Sequence, residues 1–219
     1  MKERNITVTL NKAKEWFNSG NATLKEIALQ AFSEEELTTF DFTKIKTFED
    51  ALTALGYKES TKVYIRNTIN DTSMYSRASA AMSKLNIIKK ALNFGQDLHL
   101  TKDPKDSYIY YPYNPFVTKS STYYKSEINS GKMEVIGKIK SEGEEYNVLG
   151  GRACIGGHAG LGGFDSCNGV GYAFADIGFL GCANKEIAQH LGKYFGMLIT
   201  EAKYGDLADF EIIEEKYKI

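Results

Sequence analysis

Residues 150–182 hold eleven of the chain's twenty glycines and all three of its cysteines, in the run GGRACIGGHAGLGGFDSCNGVGYAFADIGFLGC. Ordering so much glycine costs more backbone entropy than ordering any other composition, and it is tolerated where φ > 0 or close backbone approach is required. The run reads as a loop, and it is the first place to look for a ligand site or recognition surface.

The rest of the chain sets bounds on what surrounds that loop. Its 219 residues suffice for one large domain or two small ones, and 42% hydrophobic with 25% charged residues is ordinary for a folded protein. A net charge of −1 argues against general nucleic-acid binding or attachment to an anionic membrane. No run approaches the ~18 apolar residues of a spanning helix. The start, MKERNITVTLNKAKEW, lacks the apolar core of a secretory signal. Three cysteines make no disulfide framework and point to a reducing compartment.

The first hundred residues read mainly as helices. Ile6–Leu10 is compatible with a short strand, and Lys12–Ser19 with a helix burying Ala13, Trp16 and Phe17. Asn21 is an N-cap for a helix whose Leu24, Ile27, Ala28, Ala31 and Phe32 share one face. Ser33 and Glu36 have capping-box spacing, and Thr47 opens a helix that ends at Gly56. KVYIRNTI fits a strand or a helix. A longer helix is expected from Ser73 to Phe94, with Met74, Ala78, Ala81, Met82, Leu85, Ile88 and Leu92 inward.

Residues 101–219 change character. Seven aromatics fall within Tyr108–Tyr124, where Pro112 and Pro115 forbid a helix and favour extended or edge structure. MEVIGKIK and EYNVLGG flank Ser141–Glu144, a hairpin turn. GYAFADIGFLG reads as a strand. Asn184 caps a last long helix that buries Ile187, Leu191, Tyr194, Phe195, Leu198 and Ile199 and stops at Gly205. On it, Ala188, Gly192 and Gly196 recur at i, i+4 and i+8 and would let a strand or helix lie close. The expectation is an α+β fold, with a helical N-terminal half (1–100), a small antiparallel sheet and a long C-terminal helix (101–219).

Several phrases together carry a family resemblance: ITVTLNKAKEWFNSGNATLKEIALQAFSEEEL, KTFEDALTALGYK, KLNIIKKALNFG followed by YIYYPYNPF, and ADIGFLGCANKEIAQHLGKYFGMLI. In that order they resemble a group of proteins encoded by phages and prophages of gut Bacteroides-type bacteria. Similar proteins tend to carry an arginine-containing strand before the last helix, where this chain has Gly178-Phe179-Leu180-Gly181-Cys182. The group brings no activity to transfer. The resemblance implies a phage gene product acting in the host cytoplasm or in the virion.

Candidate chemistry is sparse. Cys154, His158, Cys167 and Cys182 are separated by three, eight and fourteen residues, without the close pair of a structural zinc site. Neither a metal nor another cofactor is expected. A nucleophile at Cys154 or Ser166 with His158 and Asp165 lacks the G-x-S-x-G context, and neither phosphate-binding glycine motif is present. The carboxylate pairs read as solvated charge. Glycine N–H groups can still form an anion-binding nest, with Arg152 the only cation inside the glycine-rich run. The expected ligand-binding set is therefore Arg152, Gly156, Gly157, His158, Gly162 and Gly163, with Tyr110, Tyr111 and Tyr113 as an aromatic surface. The leading expectation is a non-enzymatic, oligomeric phage accessory protein that binds a small ligand or a host or phage protein. The alternatives are a counter-defence protein that sequesters a nucleotide-derived signal, a virion or adhesin component, and an enzyme using Cys154, His158 or Asp165.

Overall fold

The computed structural model describes residues 8–17, 19, 21–38, 41–94, 109–122, 124–156 and 180–218. Three short helices, α1 (Leu10–Phe17), α2 (Ala22–Ala31) and α3 (Glu34–Thr38), pack around their own small core of Ala13, Ala28 and Leu37. The caps fall where local chemistry puts them. Asn21 accepts from the Leu24 N–H at 3.2 Å, and Ser33 and Glu36 bond reciprocally to each other's backbone N–H. Only Ala28 of the expected α2 face is fully buried, while Ile27 and Ala31 stay exposed. Helices of eight and five residues are too short to cover it. Leu10 opens α1 rather than closing a strand, and residues 1–7 lie outside the described residues.

Next come α4 (Phe48–Ala54), α5 (Glu59–Ile69) and α6 (Arg77–Leu92). The ambiguous KVYIRNTI is helical, as part of α5. Thr47 and Asp50 close a full capping box on α4. Ser76 caps the start of α6 by accepting from the Ser79 N–H, and the Asp206 carboxylate joins it, accepting from Ser76 Oγ at 2.6 Å and from the Ala78 N–H at 3.0 Å. Met74 therefore lies in the preceding turn and is exposed, not inward.

The strands form two antiparallel groups. β1 (Ile109–Tyr113) pairs with β5 (Arg152–Gly156). The order β2–β4–β3–β6 joins Phe116–Thr118, Glu144–Gly150, Glu134–Ser141 and Glu211–Glu215. A short α7 (Lys125–Asn129) precedes β3. The β3–β4 hairpin turns at Glu142 and Gly143, with φ of 51° and 81°, the left-handed pair that suits the strand twist. The expected strand GYAFADIGFLG lies almost wholly outside the described residues. Its last residues follow on as Cys182, which bridges Tyr110 through two backbone hydrogen bonds.

The long C-terminal helix is two helices, α8 (Lys185–Tyr194) and α9 (Gly196–Tyr204). The chain leaves helical geometry at Phe195 (φ −118°, ψ 10°), whose side chain is fully buried. The break lets α8 lie on β1 and β5 while α9 packs along α6. One core joins Ile45 to Leu92 with Leu180 to Ile199, so it draws on both halves of the chain. A second, around Ile136, Ile139, Val148, Met197 and Phe210, sits under the four-stranded sheet. Among the described residues, no helix is long and apolar enough to cross a membrane.

The small-residue ridge does what its spacing suggested. A side chain at Gly192 would meet Pro112 Cβ at 3.1 Å, and one at Gly196 would collide with Ile136 and Asn114. Gly150 meets backbone rather than side chain, since a Cβ there would stand 2.6 Å from the rigid Gly192 carbonyl oxygen. Gly150→Ala is expected to cost about 1–3 kcal/mol through overpacking. Chemical denaturation against Gly143→Ala separates this steric cost from the backbone strain that Gly143, open to solvent at φ 81°, would suffer instead. An unchanged denaturation midpoint for Gly150→Ala would contradict the close approach.

Candidate functional site

One face of α8 is polar at helical spacing. Glu186, Gln189, His190, Lys193 and Tyr194 fall at i, i+3, i+4, i+7 and i+8, while Ile187, Ala188, Leu191 and Gly192 face the interior. This polar stripe forms one wall of an open cleft of about 500 Å³. Phe42, Thr43 and Lys46 line it as well, and Gly131–Glu134 with Gly150–Gly151 complete it. The volume lies within the range typical of small-molecule sites.

Tight turns hold the rim. Asp41 accepts from the Thr43 N–H and caps the short helix Phe42–Lys44. After α7, Gly131 takes φ +72°, and the Lys132 and Met133 N–H groups both donate to the Glu127 carbonyl. Gly151, at φ +99°, leaves room for the Lys132 carbonyl, which would stand 3.2 Å from a Cβ. These two glycines need their conformational freedom, because an L side chain at either would be strained.

His190 is the most enclosed polar group of the lining, 9% exposed. Its Nε2 lies 2.6 Å from the Ile45 carbonyl oxygen, which can only accept, so Nε2 carries the proton. Burial holds its pKa below the ordinary 6.5, and Lys46 and Lys193 push the same way against the Ile45 hydrogen bond. At neutral pH the ring is uncharged, with a lone pair on Nδ1. Phe42 meets it edge-on at 5.5 Å and Tyr194 lies 4.5 Å away. Tyr217 extends the aromatic row, 4.7 Å from Tyr194.

Lysines sit on this row. Lys46 Nζ is 5.3 Å from the Tyr194 ring centroid, and Lys193 is 5.5 Å from Tyr194 and 5.9 Å from Tyr217. Lys193 also donates to Glu134 at 2.7 Å. Glu134 in turn accepts from Lys216 and, at 2.8 Å, from the Tyr217 hydroxyl. Burial pushes the Glu134 pKa up, yet the three donors outweigh it and bring the carboxyl down to about 2. By contrast, neither Lys46 nor Lys132 forms an ion pair among the described residues.

Among the described residues, none of those expected from the sequence lines this cleft. Arg152 lies on β5 with its guanidinium 5.8 Å from the Tyr113 ring and 4.0 Å from Glu127. Tyr111 and Tyr113 are buried on β1, and the Tyr113 hydroxyl shares a 2.6 Å hydrogen bond with Tyr124. Tyr110 packs, half-buried, against the main core, and Gly156 pairs with Ile109 at the end of β5. Gly157, His158, Gly162, Gly163, Asp165, Ser166 and Cys167 lie outside the described residues. Cys182 is fully buried, and burial raises its thiol to about 12, far from a reactive thiolate. Among the described residues, no three His, Cys, Asp or Glu side chains gather as a metal site. Sequence reasoning missed the cleft, although the polar stripe E-x-x-Q-H-x-x-K-Y on α8 was its available signal. Set against known protein families, curated proteins and solved structures, the chain matches none.

The Glu134 cluster makes stability pH-dependent with a definite sign. Its carboxyl is depressed from the ordinary 4.5 to about 2, so its contribution is present above 4.5 and lost as pH falls towards 2. Urea melts should show the native chain more stable than Glu134→Gln at pH 6. The gap should shrink steadily from pH 4.5 down to pH 2, and a pH-independent gap would contradict the assignment.

Proposed function

We propose that this chain is a non-enzymatic ligand-binding protein whose cleft between α8, the Phe42–Lys46 turn and the Gly131–Glu134 loop takes a small anionic molecule. The observation that carries this reading is Lys46 and Lys132, two ammonium groups without ion-pair partners among the described residues, on the rim of a cavity floored by a neutral, buried imidazole. A cleft with an excess of one sign of charge raises the local concentration of the opposite sign, and Lys46 and Lys132 supply that excess here. The lining offers little for catalysis. His190 has committed its proton to a backbone carbonyl, and Glu134 is saturated by three donors.

The reading suits an accessory protein of the phage group that the sequence resembles, acting in the host cytoplasm by holding a nucleotide-derived or similar anion. Recognition through the tyrosines of β1 has less support, because Tyr111 and Tyr113 are buried. Thermal unfolding with adenosine 5′-monophosphate, citrate and a cyclic dinucleotide tests it. At a hundredfold excess over Kd, a true ligand should raise Tm by about 5–10 °C. Lys46→Ala combined with Lys132→Ala should abolish that rise while leaving the unliganded Tm within about 2 °C, as befits exposed side chains. No shift with any of the three anions would overturn the reading.

A further inference from the structure

The charges of the cleft do not balance within its own lining. Lys46, Lys132 and Lys193 face Glu134 and Glu186 there. Lys216 stands outside the lining, yet it binds the same Glu134 carboxylate that Lys193 binds. Counting Lys216 because its partner lines the cleft, four ammonium groups oppose two carboxylates, a surplus of two. The nearby pairs Lys44–Asp41 and Arg152–Glu127 are internally balanced. His190 adds no charge at neutral pH.

Resting on the binding reading above, we infer that the cleft selects a dianionic phosphomonoester over a singly charged phosphodiester, and that Lys216 is the positioning residue that sets this preference from outside the site. Coulomb energy scales with the product of charges, so a surplus of two favours a dianion over a monoanion in the same pose. Lys216 acts through Glu134. While it and the Tyr217 hydroxyl satisfy that carboxylate, Lys193 need not be withheld from an incoming anion. Without Lys216, Lys193 is the one ammonium left on Glu134 beside the Tyr217 hydroxyl, and the surplus falls to one. The C-terminal segment thus tunes a cleft that it does not line.

Calorimetric titration at pH 8 and low salt, where a monoester is fully dianionic, compares adenosine 5′-monophosphate, 3′,5′-cyclic AMP and adenosine. The expected order is monophosphate tightest, cyclic diester about tenfold weaker, and adenosine weakest. Lys216→Ala should weaken the monophosphate by about tenfold and the diester much less, and Lys216→Arg should restore the difference. A merely structural role for Lys216 would weaken both nucleotides equally and would overturn its assignment. Equal binding of monoester and diester by the native chain would overturn the selectivity while leaving the anion-binding reading intact. Binding of neither would overturn the selectivity, and the anion-binding reading falls with it where citrate and the cyclic dinucleotide also fail to bind.

Discussion

The seating of α8 on the β1–β5 pair rests on one side-chain amide and two missing side chains. Asn114 Nδ2 donates to the Leu149 carbonyl at 2.9 Å and to the Gly192 carbonyl at 2.7 Å. The second acceptor lies in the last turn of α8, where a helix leaves carbonyls without partners of their own. Gly192 lacks the Cβ that would push α8 away from Pro112, and Gly150 lacks the one that would strike the Gly192 carbonyl from the strand side. With α8 seated so closely, its outward polar stripe meets the Phe42–Lys46 turn through the His190–Ile45 contact, and the two line the cleft together.

A second constraint fixes the charge of that cleft. Glu134 opens β3, Lys193 ends α8, and Lys216 and Tyr217 follow β6. The β3–β6 pairing brings the end of the chain beside Glu134, and the α8 seating brings Lys193 to the same carboxylate. A carboxylate with three donors is held ionised far below its ordinary range. It also holds two lysines in defined places, which an isolated exposed pair would not do.

Much of the local structure was legible in the sequence because it depends on neighbours a few residues apart. The caps at Asn21, Ser33, Thr47 and Asn184, and the Glu142–Gly143 turn, are of this kind. The errors arose where distant contacts intervene. Asp206 joins Ser76 at the start of α6, and the buried Phe195 breaks the last helix so that its halves can serve two different cores. The glycine-rich segment drew attention to itself by composition. Among its described residues, Gly150 and Gly151 border the cleft, while Arg152 turns to Tyr113 and Glu127.

By itself, the sequence determined the α+β character, the caps and hairpin turn, the small-residue ridge on the last helical region and the two faces of α8. These follow from periodicity and short-range hydrogen bonding, which act within a few residues. Only the tertiary structure decided which polar face borders a cavity, and which charges there are paired. Glu134 and Lys216 are 82 residues apart, and His190 meets the Ile45 carbonyl across 145. No local pattern encodes such meetings, because strand register and helix seating set them, and those are properties of the whole packed chain.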